Sequence, residues 1–345
     1  MSVEKRKKLV RDLEQAIEAR VLCFVTGDRS SLETMIAGDA IPLVSEHLAR
    51  IGHQERLAIF LYTVGGDPVA GRSLVDLATR YCGRLVVAVP FRALSCGTLI
   101  ALGANELLLG RHAQLSPVDP SVSSPYSPAA PGSPSGGAAR LPVSVEDMIG
   151  FLDLAREEAG IKSEAHMIEV LKLLASHVHP LALGAVFRAR KQNAALASKV
   201  MRVHDRDASH VRKVVHSLTR GVPSHGYLIG REEAKTDLKL PLRKPTANQE
   251  QILWDLYVEY RDWFQLTRPP SPALDLGSAP RAEKRYERAA IESLDGNVLT
   301  QHVFVTQREI LRVPMPQAGV AAAMDQVIER VLFEGWLPAR DGSYD

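Results

Sequence analysis

The sequence is poor in cysteine, in net charge and in long apolar runs, and each shortage excludes a class of protein. Its 345 residues contain only three cysteines, without CxxC or Cys/His metal spacing, so neither a disulfide scaffold nor a zinc module is expected. A formal net charge of +2 gives no general attraction to nucleic acid or to anionic membranes. No apolar run approaches the roughly 18 residues of a membrane-spanning helix, so no membrane span is predicted.

Targeting and cofactor signatures are also missing. The N-terminal stretch MSVEKRKKLVRDLEQ is charged and helical in pattern, with no apolar segment behind it, which predicts a cytoplasmic protein. The sequence contains neither the GxGxxG order of a dinucleotide site nor a Walker motif. We therefore predict no cofactor, no metal and no nucleic-acid partner.

What is present is the composition of a globular protein, 46% hydrophobic and 24% charged. The length predicts about two domains. A change in character after Pro245 places the boundary there, with residues 1–245 in the first domain and residues 246–345 in the second. A Pro/Ser/Gly-rich stretch at about residues 121–142 predicts a mobile surface loop within the first domain.

The first domain alternates fully apolar strands with helices. Buried strands that alternate with helices are typical of parallel βαβ units, so we predict an α/β fold. The strands are predicted over residues 57–63, 85–89 and 107–109, and the helices between them over residues 68–81 and 96–104.

The second domain is predicted to be a smaller α+β extension. An aromatic-rich helix over residues 252–264 precedes a β-hairpin around Asp295-Gly296-Asn297, where Asp-Gly suits the positive φ of a tight turn. The last apolar pattern predicts a helix over residues 320–333.

Two glycine-bearing turns follow neighbouring strands of the first domain. The first is TVGGDP, residues 63–68, where glycine lets the backbone approach a ligand. The second is ALSCGT, residues 93–98, where Ser95 stands at a strand-to-helix elbow. Taken alone, the first is equally well a plain strand-to-helix turn, and Ser95 taken alone is better explained as an ordinary helix N-cap.

Together the two turns predict a site for acyl transfer. The carboxyl ends of adjacent parallel strands meet at one edge of a sheet, which places Gly66 beside Ser95. The backbone amides of Gly66 and Cys96 then face the oxyanion of a tetrahedral intermediate formed on Ser95. A serine nucleophile with two amide donors is the minimum equipment of a serine hydrolase.

The segments TVGGDP, ALSCGTLIALGANELLLG and LSPVDP resemble the serine dehydrogenase proteinase family. That family is related to signal peptide peptidase A and has the Clp protease/crotonase fold. The resemblance spans about residues 5–245 and implies a repeated βαβ core, Ser95 as nucleophile, Gly66 and Cys96 as oxyanion-hole donors, and a homo-oligomer that shelters its sites. The sequence departs from the family pattern at Asn105 and Gly226, where the family tends to have aspartate.

The general base is left open by the sequence. No histidine stands near Asp119, the region where a Clp protease places its histidine, and Asp119 alone is a poor base because an unperturbed aspartate has a pKa of about 3.9. We favour His179, which precedes a proline at a helix start. His225 is the alternative base or a network member, Lys162 is a more distant Ser–Lys candidate, and Asp119 remains a possible network member.

The leading prediction is a serine peptidase that hydrolyses peptide bonds in a peptide or protein substrate through a Ser95 acyl-enzyme. One alternative is a catalytically inactive Clp-fold scaffold or binding module. A crotonase-type acyl-CoA enzyme, which uses paired amide donors without a serine nucleophile, is the third.

Overall fold

The structure is a computed structural model that describes residues 3–118, 121–122, 125–128, 141, 143–204, 207–220, 226–315 and 324–340. These residues form two compact units. The first combines Met1–Leu115 with Ile229–Asp345, and the second is Ser116–Leu228. The elements in chain order are α1 (Val3–Ile17), β1 (Arg20–Thr26), α2 (Ala40–Ile51), β2 (Gln54–Tyr62), α3 (Pro68–Arg80), β3 (Cys82–Val89), β4 (Arg92–Ala93), α4 (Cys96–Leu102), β5 (Glu106–Leu109), β6 (Gln114–Leu115), β7 (Ser121–Val122), β8 (Val143–Ser144), α5 (Val145–Asp153), a π-helical segment (Leu154–Glu158), α6 (Glu164–His177), α7 (Pro180–Arg202), α8 (Ala208–Arg220), β9 (Ile229–Gly230), α9 (Arg231–Thr236), α10 (Ala247–Trp263), α11 (Pro272–Leu276), β10 (Arg281–Asp295), β11 (Val298–Met315) and β12 (Met324–Arg340).

A seven-stranded sheet of order β12-β11-β10-β1-β2-β3-β5 organises the first unit. Strands β1, β2, β3 and β5 are parallel, and β10, β11 and β12 join them as an antiparallel meander through the pairing of β10 with β1. After their polar first residues the central strands β1 and β2 are buried and mostly apolar, as expected of parallel strands that are covered on both faces. The predicted βαβ core and α/β class are confirmed.

Helices α1 and α10 cover one face of this sheet. Leu13 and Tyr260 from these helices pack with Cys23 and Phe60 in one hydrophobic cluster. A buried polar network crosses the same interface, centred on Glu292 of β10. Arg6 donates to Glu292 at 3.1 Å, Gln301 donates to it at 2.6 Å, and the Tyr260 hydroxyl also donates to it.

The opposite face of β10 carries a second buried polar group. His47 Nδ1 lies 2.6 Å from the Ser293 hydroxyl, and His47 Nε2 lies 3.0 Å from Nδ1 of His302. Burial, followed by the charges of His302 and Arg50, lowers the pKa of His47 to about 3. The imidazole of His47 is therefore neutral in the folded protein at physiological pH.

The second unit contains the small β7–β8 ladder and the helices α5 to α8. Helix α7 packs on α8, whereas no residue of α6 is buried. Among the described residues, no single helix is long and apolar enough to cross a membrane. Helices α6 and α7 pass that test only as a pair, which is bent by 103°.

Two features of the C-terminal region test the sequence predictions. The β-hairpin is confirmed, because Asp295 pairs with Val298 around the predicted turn. The final helix is wrong: its described part belongs to β12, which pairs with β11 from Met315↔Met324 to Thr300↔Arg340. The open edge of the long strand β11 offers backbone partners that override the helical periodicity, as tertiary context often does.

The compact units divide the chain differently from the predicted boundary at residue 245. Residues 281–295 return to pair with β1, so the end of the chain belongs to the same unit as its beginning. Most of the predicted loop over residues 121–142 lies outside the described residues.

Candidate active site

The first glycine turn directly follows β2. Gly65 and Gly66 have φ values of +134° and +150°, which side chains with a β-carbon rarely adopt. On one flank, the Ile36 amide donates to the Gly65 carbonyl at 2.9 Å, and the Asp67 amide donates to the Ile36 carbonyl at 2.8 Å. A β-carbon at Gly66 would overlap the Ile36 carbonyl oxygen, so this position requires glycine.

The second turn places Ser95 immediately before α4 in a strained conformation. Its φ of +49° and ψ of −106° lie outside the regions that a serine normally occupies. The Ser95 side chain makes no capping hydrogen bond to the described first turn of α4, so the ordinary N-cap interpretation is wrong. Strain of this kind persists only where the surroundings impose it, and it is concentrated at functional sites.

The structure brings the two turns together. The Thr63 amide donates to the Arg92 carbonyl at 2.9 Å, and the Leu94 amide donates to the Thr63 carbonyl at 3.0 Å. A β-carbon at Gly65 would lie 3.2 Å from Ser95 Cβ and 3.7 Å from Ser95 Oγ. The half-buried Ser95 side chain therefore lies directly against the glycine turn.

Two backbone amides remain available at this junction. In the bridge with Ile36, the flanking residues 65 and 67 make the hydrogen bonds, and the Gly66 amide points to the other side. Neither the Gly66 nor the Cys96 amide donates to a protein acceptor within the described ranges of the chain. Unpaired amides beside a serine hydroxyl are suited to a developing oxyanion.

The Cys96 thiol is not a competing nucleophile. Its Sγ donates to the Asp67 carbonyl at 3.2 Å and fills the space left by Gly71. Burial, reinforced by the charge of Asp67, raises the pKa of the Cys96 thiol to about 12. A thiol with that pKa is protonated at neutral pH, so only the backbone of Cys96 is suited to chemistry.

The candidate bases belong to the second unit or lie outside the described residues. His179 is the exposed N-cap residue of α7, with its ring 4.8 Å from that of Tyr126. Its Nδ1 accepts from the Leu181 amide at 3.2 Å, so the neutral ring carries its proton on Nε2 and must exchange tautomer to accept a proton there. Lys162 has an exposed side chain at the rim of a groove of about 520 Å³. Asp119 and His225 lie outside the described residues.

The residues that support the two turns were not among the predicted site residues. Tyr62 donates to Asp28 Oδ1 at 2.7 Å, and Arg92 donates to Asp28 Oδ2 at 2.7 Å, which braces the ends of β2 and β4. Thr26 and Thr63 are also buried behind the glycine turn. The only sequence signal for them is their position at the carboxyl ends of β1 and β2.

The part of the chain that holds the candidate site is similar to known proteins. Residues 2–131 match the family model described as ClpP-like SDH-type serine proteinase. A curated relative, the uncharacterized protein MJ1495 of Methanocaldococcus jannaschii, is 24% identical over 128 residues, covering 35% of this chain and 43% of the relative. The chain thus spans less than half the length of that relative.

Two solved structures are similar at low sequence identity. A variant of the 1510-N membrane-bound stomatin-specific protease is 13% identical, with a TM-score of 0.36 over 62% of this chain and 77% of that chain. A variant of ClpP1 from Listeria monocytogenes is 14% identical, with a TM-score of 0.35 over 68% of this chain and 98% of that chain. The family match agrees with the resemblance found in the motifs: residues 2–131, which contain both glycine turns and Ser95, match the model of the ClpP-like SDH-type serine proteinases.

Proposed function

We propose that this protein is a serine peptidase in which Ser95 is the nucleophile. The observation that carries the proposal is the position of the strained Ser95 against Gly65, with the unpaired amides of Gly66 and Cys96 at the same junction. A preformed pair of donors stabilises the charge that develops on the carbonyl oxygen during attack. The family match of residues 2–131 supports the same reaction class.

The reaction has two halves. Ser95 Oγ bonds to the peptide carbonyl carbon as its proton passes to the base, and the carbonyl electrons move onto the oxygen held by the two amides. The tetrahedral intermediate then collapses, the C–N bond breaks, and the base gives its proton to the departing amine. Water repeats the sequence on the acyl-enzyme, which releases the acid and restores the Ser95 hydroxyl.

Covalent labelling tests the nucleophile. A fluorophosphonate probe should label the wild-type protein once, at Ser95, and should not label Ser95→Ala. The matched control Ser176→Ala removes an exposed hydroxyl that, among the described residues, bonds only to the Leu173 carbonyl of its own helix, and it should label like the wild type. An unlabelled wild-type protein with an intact fold would favour the inactive scaffold, and Ser95→Ala that still cleaves an acyl-CoA thioester would favour the crotonase-type enzyme.

We propose His179 as the general base, with His225 and Lys162 as alternatives and Asp119 as a network member. A neutral imidazole accepts a proton near pH 7, and the exposed His179 ring is free to exchange tautomer. His179→Ala should lower the peptidase rate on the order of 100-fold. His177→Ala, two residues earlier on α6, is the control. A peptidase rate in His179→Ala equal to that of the wild type would shift the assignment to His225 or Lys162.

We also propose a homo-oligomer, in which α6 of the second unit is covered by a second copy. Ile168, Leu171 and Leu173 are 53%, 51% and 54% exposed on this helix, and α6 also lines the groove of about 520 Å³. Ile168 and Leu171 are three residues apart on one helix face and both line the groove, and exposed apolar surface of this kind is typical of protein interfaces. Leu171→Glu should reduce the molar mass measured by light scattering, whereas Leu274→Glu, at an 83% exposed position of α11, should not.

A further inference from the structure

A chain of two buried hydroxyl groups lies directly behind the glycine turn. The Thr26 hydroxyl donates to the Thr63 hydroxyl oxygen at 2.7 Å. The Thr63 hydroxyl donates to the Gly65 carbonyl at 3.1 Å, and its oxygen accepts from the Gly65 amide at 3.0 Å. Both threonines have no exposed surface, so water does not compete for these bonds.

Thr63 contacts both halves of the proposed site. Its backbone bonds to Arg92 and Leu94, which lead into Ser95, while its hydroxyl holds Gly65, which leads into Gly66. Its methyl group also supports the start of α4, since a β-carbon at Gly97 would lie 2.6 Å from Thr63 Cγ2.

We infer that Thr63 is a positioning residue for the oxyanion hole and that Thr26 acts through it. The inference rests on the proposed peptidase function. Gly65 is held through both its amide and its carbonyl. Because the Gly65 carbonyl and the Gly66 amide belong to one planar peptide unit, the direction of the Gly66 amide is fixed before substrate binds. Fixed donors stabilise a transition state because they need no reorganisation during the reaction.

The threonine side chain permits a matched pair of variants. Thr63→Val keeps the methyl contact with α4 and removes the hydroxyl, whereas Thr63→Ser keeps the hydroxyl and removes the methyl group. We expect Thr63→Val to lower kcat and the rate of fluorophosphonate labelling on the order of 10- to 100-fold, with KM within about twofold, because a donor displaced by a fraction of an ångström loses transition-state stabilisation. Thr63→Ser should stay within about threefold of the wild type.

Thr26→Val provides a second, milder test. It removes the donor to Thr63 but leaves both bonds between Thr63 and Gly65, so its labelling rate should fall between those of Thr63→Ser and Thr63→Val. Thr79→Val is the control, because within the part of the chain that the structure describes the Thr79 hydroxyl bonds only to carbonyl groups of its own helix α3. All rates are taken per folded protein, measured by thermal unfolding of the same samples.

The outcomes separate this inference from the proposed function. If the wild type is not labelled, the peptidase proposal fails and this inference fails with it. If the wild type is labelled and Thr63→Val and Thr26→Val react at the wild-type rate per folded molecule, only the positioning role is overturned, and the two hydroxyls serve the fold alone. If Thr63→Val does not fold, the labelling rates of Thr26→Val and Thr63→Ser decide the question. A lower rate in Thr26→Val supports the positioning role, and a rate in Thr26→Val equal to that of the wild type overturns it.

Discussion

The two buried polar regions of the first unit differ in charge and in geometry. At the carboxyl edge of the parallel strands, Thr26, Thr63 and Gly65 are neutral groups that hold a strained turn beside Ser95. On β10, Glu292 and Ser293 hold ionisable groups on opposite faces of a regular strand. Buried polar groups thus serve different ends: the neutral hydroxyls hold the glycine turn, whereas the charged and titratable groups fix how helices and strands pack. Four variants or conditions test that division.

The largest effect is expected at the buried ion pair. Arg6 and Glu292 are 2% and 0% exposed, so Arg6→Met leaves a carboxylate without its cation in the core. We expect a loss of about 3–5 kcal/mol in the free energy of unfolding, measured by denaturant titration, with the labelling rate of the folded fraction unchanged. The double variant with Glu292→Gln should recover part of the loss, and Lys8→Met on the exposed side of α1 should cost little. A changed labelling rate would contradict the division between the two regions.

Gly66→Ala should have the next largest effect, and it should reduce activity more than stability. The added β-carbon meets the Ile36 backbone, so the turn must move away from its present position. We expect the peptidase kcat/KM to fall at least on the order of 100-fold, about 2.7 kcal/mol in transition-state stabilisation, with a smaller loss in unfolding free energy. Gly38→Ala, where a β-carbon meets nothing within 4 Å, is the control. A stability loss that exceeds the activity loss would show that this turn serves the fold first.

Acid should weaken the β10 region through His47. The folded pKa of His47 is about 3, below the value of about 6.5 expected in the unfolded chain, so the unfolded chain binds the proton more readily. The unfolding free energy should therefore fall as pH drops below about 6.5, by about 2 kcal/mol at pH 5, and continue to fall towards pH 3. Urea titrations of the wild type and His47→Gln at pH 7 and pH 5 measure this, with His53→Gln as the exposed control. Equal slopes in the wild type and His47→Gln would exclude His47 as the source.

The smallest effect is expected at Asp28. This residue shares a feature with each region, because it is charged like the groups on β10 and lies at the edge of the candidate site. Asp28→Asn weakens the bonds from Tyr62 and Arg92, and Arg92 is half-exposed, so we expect a loss of about 1 kcal/mol in unfolding free energy and a fall of severalfold in labelling rate. Asp76→Asn, which breaks the half-buried pair with Arg72 one turn away on α3, should change both quantities less than Asp28→Asn does. If Asp28→Asn is labelled at the wild-type rate, Asp28 does not help to position the site, and that role is left to the threonines.

The sequence predicts those parts of the fold that depend on local pattern. Apolar runs predict β2 and β3, and the position of Ser95 after a strand predicts its elbow, because both signals span few residues. The pairing of β10 with β1 joins residues about 270 positions apart and leaves no local signal. The segment after residue 324 has apolar residues at helical spacing, and only the open edge of β11 makes it a strand.

The short reach of local patterns also explains which residues of the candidate site the sequence predicts. Gly66, Ser95 and Cys96 stand in short motifs, whereas the bond between Thr26 and Thr63 joins the ends of two separate strands and requires the sheet register. The sequence does not identify the general base, because an isolated histidine belongs to no motif that would distinguish it from other histidines. Thr63 was within the motif, and only its contacts distinguish it from a residue that merely ends a strand.

The buried thiols offer an internal gauge of how the protein opens. Cys23 lies in β1, Cys82 in β3 and Cys96 at the start of α4, and burial raises the pKa of each, to about 11 for Cys82 and about 12 for Cys96. Alkylating reagents therefore meet almost no thiolate while the molecule stays closed. The order in which the three sulfurs become reactive in rising urea would report whether the sheet centre or the proposed catalytic elbow loosens first, with no added dye or tag.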